Sequence, residues 1–227
     1  MRWSEVPIGP RVLTQLGSRG EIVRGRNAGH WRISRPAWTL MSRWLGEVPA
    51  PMDEAEGYAE LVRRWLGSFG PGTEDDIVWW LGATKSAVRR ALAAVDAVPV
   101  SLDRAGTGWV LPGDDGPVEP VAPWAALLPV LDPTVMGWKD RSFFLGDAGP
   151  QIFDRNGNAG TTAWWDGRVV GCWVQDADGR VVVVPLEDLP DEAGAALEVE
   201  AERLGAWLDG VRIGTVYPSP LMKSAGS

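Results

Sequence analysis

The stretch TEDDIVWWLGATKSAVRRAL, residues 73–92, decides how this chain is read. It has the pattern of two short helices joined by a tight turn. Thr73 is placed as the N-cap of the first helix, and Glu74, Asp75 and Asp76 fill its opening turn, where carboxylates meet the positive end of the helix dipole. Asp76, three residues beyond Thr73, can close a capping-box-like pair. Ile77, Trp80 and Leu81 are expected to face inward, and Gly82 ends the helix. Thr84 caps the second helix, in which Val88, Leu92 and Val95 share one face at spacings of four and three. Lys85, Ser86, Arg89 and Arg90 are left on the outside.

The flanking residues extend this pair into a larger unit. AEGYAELVRRWLGSFG, residues 55–70, carries Tyr58, Leu61, Val62, Trp65, Leu66 and Phe69 at three- and four-residue spacing, the wide apolar face of a core helix. Downstream, VPVSLD (98–103) and WVLP (109–112) flank a turn and predict a hairpin. Helix, helix, short turn, helix, hairpin is the order of a winged helix-turn-helix, which presents its third helix to the major groove of DNA. The same order serves proteins that use the module for protein contacts or as a spacer.

Residues 1–50 predict a further, partial unit. IGPRVLTQLGSRG (8–20) reads as a helix begun after Pro10 with Val12, Leu13 and Leu16 in an apolar stripe. EIVRGRNAGHWRIS reads as a hairpin, with Ile22 and Val23 in one strand, Asn27-Ala28-Gly29 as the turn, and Trp31 and Ile33 in the other. A helix followed by a basic hairpin is the rear half of a winged helix. The expectation is that its two leading helices come from elsewhere, or that these residues are the C-terminal portion of a longer protein.

Two stretches rich in Pro, Gly and acid, GEVPAPMDEAEG (46–57) and GDDGPVEPVAP (113–123), mark boundaries and divide the chain into 1–50, 51–116 and 117–227. The last part changes character. WAALLPVLDP (124–133) predicts a buried strand and RSFFLG (141–146) another. TTAWWDGRVVGCWVQDADGRVVVVPLE (161–187) holds three strand-like runs joined at Asp166-Gly167 and Asp178-Gly179, both strong hairpin signals. PDEAGAALEVEAERLGAWLDG predicts an amphipathic helix with Leu197, Ala201, Leu204 and Leu208 inside, and VRIGTVYP a last strand. The predicted class is α+β: tandem winged helix-turn-helix modules, the first incomplete, followed by a small antiparallel β-barrel of at least five strands with a packed helix.

Composition narrows the functional classes. The 227 residues are 45% hydrophobic, enough for a sizeable core. No apolar run approaches the roughly 18–20 residues that span a bilayer, and MRWSEVPIGP lacks the apolar stretch of a secretory signal. The expected address is the cytoplasm, with no membrane partner. Cys172 is the one cysteine and His30 the one histidine, so neither an internal disulfide nor a Cys/His zinc site can form. No metal and no cofactor is expected. The net charge of −8 is unevenly spread: residues 1–50 hold eight arginines (2, 11, 19, 24, 26, 32, 35 and 43) against Glu5, Glu21 and Glu47, a local balance of +5. A basic end on an acidic body suits one polyanion-facing surface, although solvated surface arginines look the same in sequence. The fourteen tryptophans are scattered over the whole chain, which favours packing over a stacking platform.

Four separated motifs, FGPGTEDDIVWWLG, LLPVLDPTVMGWKDR, WWDGRVVGCW and ALEVEAERLGAWL, taken in this order, resemble the winged-helix DNA-binding family that includes the AlkZ- and YcaQ-like DNA glycosylases. The resemblance spans roughly residues 3–210. It implies tandem winged helices and a β-barrel enclosing double-stranded DNA, in a family whose glycosylases hydrolyse N-glycosidic bonds of bulky alkylated purines and unhook interstrand crosslinks. The family's catalytic Gln-x-Gln or Gln-x-Asp motif has no counterpart here: Gln15, Gln151 and Gln175 are followed two positions on by Gly17, Phe153 and Ala177. No catalytic residue is carried over, and the expectation is a DNA-binding protein that is catalytically incomplete.

For DNA contact the candidates are Thr84, Lys85, Ser86, Arg89 and Arg90 on the helix expected to face the groove, where Thr84 and Ser86 can donate to phosphates, and Arg24, Arg26, His30 and Arg32 on the first hairpin. A carboxylate able to orient water for glycosidic hydrolysis would be sought at Asp132 and Asp140, which also read as turn residues. DRNGNAG (154–160) departs from a calcium loop, with Ala159 and Trp165 at positions that need Gly and Glu. Cys172, between Gly171 and Trp173 in a strand, reads as core.

Overall fold

The computed structural model describes residues 8–30, 33–48, 50–103 and 106–225. The chain forms two compact units, one through Met52 and one from Asp53 onward. Helices and small antiparallel sheets are mixed in it, and none of the three sheets among the described residues is closed.

In the first unit, α1 (Ile8–Ser18) leads into β1 (Ile22–Asn27), which pairs with β2 (Pro36–Leu40), and α2 (Met41–Leu45) follows. The return strand paired with β1 is therefore Pro36–Leu40; of the expected return strand, Ile33 lies in the loop and Trp31 lies outside the described residues. Asn27 is the reason: its Nδ2 donates to the carbonyls of His30 (3.2 Å) and Ile33 (2.9 Å), and its Oδ1 accepts from the Arg35 N–H (2.8 Å). One side chain thus satisfies the backbone of a wide loop and moves the pairing downstream, to Ile22↔Leu40 and Asn27↔Pro36. Among the described residues of this unit none is fully buried, and Ile8, Val12, Leu40, Trp44 and Leu45 are exposed.

The second unit begins with α3 (Glu54–Phe69), α4 (Glu74–Leu81) and α5 (Lys85–Ala94), followed by the hairpin of β3 (Val98–Leu102) and β4 (Gly106–Val110). Helix periodicity predicted this core closely: Val62, Trp65 and Leu66 of α3 meet Ile77 of α4 and Val88, Ala91, Leu92 of α5. Each of the larger aliphatic groups contributes about 1.5–3 kcal/mol by leaving water. Trp80 and Leu61, expected inside, are 40% and 49% exposed. The hairpin is fastened to the turn before α4 by a two-way backbone bridge between Gly72 and Trp109.

Beyond a linker, β5 (Ala125–Leu128), β6 (Thr162–Trp165), β7 (Arg168–Gln175) and β8 (Val181–Pro185) form an open sheet in sequence order. Asp166 and Gly167, both at positive φ, make the two-residue turn between β6 and β7. The second hairpin closes over 176–180 through Asp176, whose side chain accepts from the N–H groups of Asp178 and Arg180. One face packs on α9 (Asp191–Leu208) through Leu127, Ala163, Trp173, Leu197 and Ala201. The other face is covered by α6 (Pro133–Met136), α7 (Ser142–Leu145), α8 (Gly149–Ile152) and α10 (Pro220–Ala225), with Val135, Phe144, Ile152, Trp164, Cys172 and Leu221 between them.

Two expected strands do not form, and the expected barrel is this open four-stranded sheet instead. RSFFLG contains the helical turn α7, because adjacent Phe144 and Leu145 are both buried on one side, and a strand would send them to opposite faces. VRIGTVYP finds no strand partner; the Gln175 side chain takes that role, accepting from Ile213 N–H (2.7 Å) and donating to the Val211 carbonyl (3.0 Å).

The joint between the helical part and the sheet part of this unit is built on Asp76. Its Oδ2 accepts from the Thr73 N–H (2.9 Å) and hydroxyl (2.6 Å), and its Oδ1 accepts from the N–H groups of Lys139 (2.8 Å) and Asp140 (3.2 Å). Trp138 adds a bond from Nε1 to the Phe69 carbonyl (3.1 Å). Gly137 lets the chain approach, since a Cβ there would lie 2.6 Å from the Phe69 ring.

Two outcomes follow from this packing. Asp76→Ala leaves the part-buried N–H groups of Thr73, Lys139 and Asp140 without their acceptor and should lower unfolding free energy in urea by about 2–3 kcal/mol, against about 1 kcal/mol for the cap deletion Thr73→Ala; equal losses would show that the Lys139–Asp140 tether adds nothing. Burial pushes the Cys172 thiol up to about 12, so the folded protein holds almost no thiolate at pH 8. Iodoacetamide should leave Cys172 unlabelled under native conditions and label it in urea, where the thiol regains its ordinary acidity.

Candidate nucleic-acid interface

The side chains offered to a polyanion are set by the two helices of residues 73–92. Thr73 and Asp76 form a full capping box at the start of α4, and Gly82, in the left-handed conformation at φ 61°, ends it. Thr84 then caps α5, its hydroxyl accepting from the Ala87 N–H at 3.2 Å, with Ser86 Oγ 3.1 Å from Thr84 Oγ1. This leaves Lys85, Arg89 and Arg90 on the solvent side of α5, as the periodicity predicted.

Their electrostatic state was not legible in the sequence. The Arg89 guanidinium grips Glu74 with two bonds, Nε–Oε2 at 2.7 Å and Nη2–Oε1 at 3.0 Å. Lys85 Nζ lies 2.6 Å from Asp75 Oδ1 and 4.0 Å from Glu74 Oε1, and Lys139 Nζ reaches the other Asp75 oxygen at 3.3 Å. The hydrogen bond from Lys85, then that from Lys139, holds the Asp75 carboxyl below the usual carboxylate range. Bonds to Asp75 and to Glu74 raise Lys85 and Arg89, respectively. Glu74 and Asp75, dipole-facing acids in the sequence, also bridge to the next helix. Arg90 stands apart from this network, beside a hollow of about 270 Å³ lined by Glu54, Tyr58 and Ala94.

Of the candidates in the first unit, Arg24 and Arg26 are both exposed on β1, where the register with β2 shifts between Arg24 and Asn27. The Arg24 guanidinium lies 5.5 Å from the Trp38 ring centre, a cation–π distance. His30 is in the loop that Asn27 organises, and Arg32 lies outside the described residues.

At the N-terminus of α4 two adjoining hollows, of about 440 and 740 Å³, share Thr73, Asp76 and Asp140. The smaller is walled by Pro71, Leu102, Trp138 and Phe143, with Asp103 and Arg168 at its polar side. Trp138 and Phe143 belong to an aromatic chain in which Phe69, Trp138, Phe143, Phe144 and Trp164 follow one another at 4.9–5.4 Å between ring centres. Arg141 inserts between Trp79 (5.0 Å) and Phe153 (4.7 Å), and its burial lowers its pKa. Sequence reasoning missed this cluster, and only the WKDR run hinted at it. Both carboxylates considered for water activation serve backbone turns: Asp132 accepts from Thr134 N–H (2.9 Å) and Asp140 from Ser142 N–H (2.9 Å), which holds Asp140 below its ordinary range. Among the described residues no group of three or more His, Cys, Asp or Glu is placed to hold a metal ion. No helix among them is long and apolar enough to cross a membrane.

Comparison with known proteins agrees with this architecture. The Streptomyces sahachiroi DNA glycosylase AlkZ superposes with a TM-score of 0.69 over 86% of this chain, at 21% identity, and establishes a common fold. The chain spans about half of that protein, 54% of its length. Among curated proteins none matches. The family profile described as DNA glycosylase AlkZ-like matches residues 2–207, nearly the whole chain, and the chain therefore belongs to the AlkZ-like DNA glycosylase family.

Proposed function

We propose that this chain is a duplex-DNA-binding member of its family, using residues 54–110 as a winged helix and residues 8–45 as the rear part of a second. The observation that carries the reading is α5 itself: a capped helix after a tight turn, followed by a hairpin, with Lys85, Arg89 and Arg90 on its outer side. Arg24 and Arg26 on β1 supply a second basic element in the arginine-rich first fifty residues. Phosphate contacts of this kind position a protein on DNA, and each neutralised phosphate releases counterions. Cleavage of an N-glycosidic bond is not assigned to these residues. The Gln-x-Gln or Gln-x-Asp pair is missing from the chain, and Asp132 and Asp140 are engaged in turns. A protein working on DNA in this way fits a cytoplasmic address.

A second reading, a winged helix that contacts proteins, is favoured by the pairing of Lys85 and Arg89 with Glu74 and Asp75, which leaves less free charge for a phosphate. Salt titration separates the two. Duplex affinity should fall steeply with salt, and Arg24→Ala/Arg26→Ala should weaken it and reduce the log–log slope by about 1.8, at roughly 0.9 for each phosphate no longer neutralised. Affinity that does not respond to salt would favour the protein-contact reading. Incubation with a duplex carrying a bulky N7-alkylguanine should produce no abasic sites above a no-protein control; release of the base would place a catalytic group within these 227 residues.

A further inference from the structure

We infer that Glu74 and Asp75 are affinity-setting residues that mask the cations of α5, so that a phosphate reaching Lys85 or Arg89 must first displace a carboxylate. The inference rests on the DNA-binding reading above.

The carboxylates are not needed to start α4, because Thr73 and Asp76 already complete the capping box. They are nevertheless held in place. They sit in the first helical turn, where the dipole favours negative charge, and that turn is anchored by the buried Asp76. From there Glu74 meets Arg89 fork to fork, the same bidentate geometry that a guanidinium offers a phosphate. Asp75 gives one oxygen to Lys85 and the other to Lys139, whose own backbone is fixed by Asp76. Three cations and two carboxylates therefore form one closed patch. Arg90, on a neighbouring face of the helix, is outside it and remains the unmasked cation of the Lys85–Arg89–Arg90 group.

Masking has a signature that loss of net negative charge lacks, because it makes Glu74 and Arg89 energetically dependent on each other. Anisotropy of a labelled duplex, measured against salt, reads it. Glu74→Gln/Asp75→Asn should bind more tightly, by up to roughly tenfold per freed cation at ~0.1 M salt, and steepen the log–log slope by up to about 1.8. Glu198→Gln/Glu202→Gln on α9 makes the same charge change at exposed carboxylates far along the sequence and should leave the slope nearly unchanged. Arg89→Ala should have little effect in the wild type and a several-fold cost in the Glu74→Gln background. Thermal melts report whether each variant is folded, and Glu74→Gln alone, which leaves the capping box intact, carries the same test if the double variant unfolds.

Equal effects of Arg89→Ala in both backgrounds overturn the mask. So does wild-type binding that is not strengthened in the neutralised variants. Absence of salt-dependent binding in the wild type and the neutralised variants alike overturns the DNA-binding reading itself, which is a different result from the loss of the mask alone.

Discussion

The carboxylate of Asp76, 4% exposed at the start of α4, accepts four hydrogen bonds, two from Thr73 and two from the backbone at Lys139 and Asp140. A buried charge of this kind is tolerable only when its lone pairs are filled, and here the partners come from segments more than sixty residues apart in sequence. The helix cap and the joint between the helical and sheet parts are thus the same interaction. It sets the approach of the 137–141 segment, and that approach lets Trp138 bond to the Phe69 carbonyl and the aromatic chain run from α3 to β6.

The candidate interface inherits its character from that corner. α5 exposes its cations by periodicity, but α4 delivers Glu74 and Asp75 to them, and the loop fixed by Asp76 delivers Lys139 to the same carboxylates. An acidic chain can therefore carry a basic helix whose free charge is small. This differs from a bare arginine surface, in which every cation is available to the solvent and its ions. In the first unit Arg24 and Arg26 are both exposed on β1, and Arg24 lies over the Trp38 ring instead of against a carboxylate.

Local signals carried much of the architecture. The caps at Thr73 and Thr84, the stop at Gly82, the turn at Asp166–Gly167 and the inner face of α9 all depend on a few adjacent residues, and each occurs where its pattern predicts. The misplaced elements share a cause. At Asn27, Gln175 and the Phe144–Leu145 pair, the outcome depended on a side chain satisfying distant backbone or on which side the core lay. Strand-like runs in sufficient number suggest a barrel; closure depends on the edge strands meeting, and 211–218 is held by Gln175 instead of joining the edge.

By itself the sequence determined the helical pair at 73–92, its caps, its apolar face, the outward position of Lys85, Arg89 and Arg90, and the motifs that resemble the family to which the chain belongs. These follow from the 3.6-residue period and from short-range hydrogen bonding, which need no knowledge of the rest of the fold. Only the tertiary structure decided which charges are spent on one another, that Asp76 joins two parts of one unit, and that Trp138, Phe143 and Arg168 gather around one hollow. Those depend on distances across 10 to about 100 positions of chain, and a charge in a sequence has no partner until folding has set them.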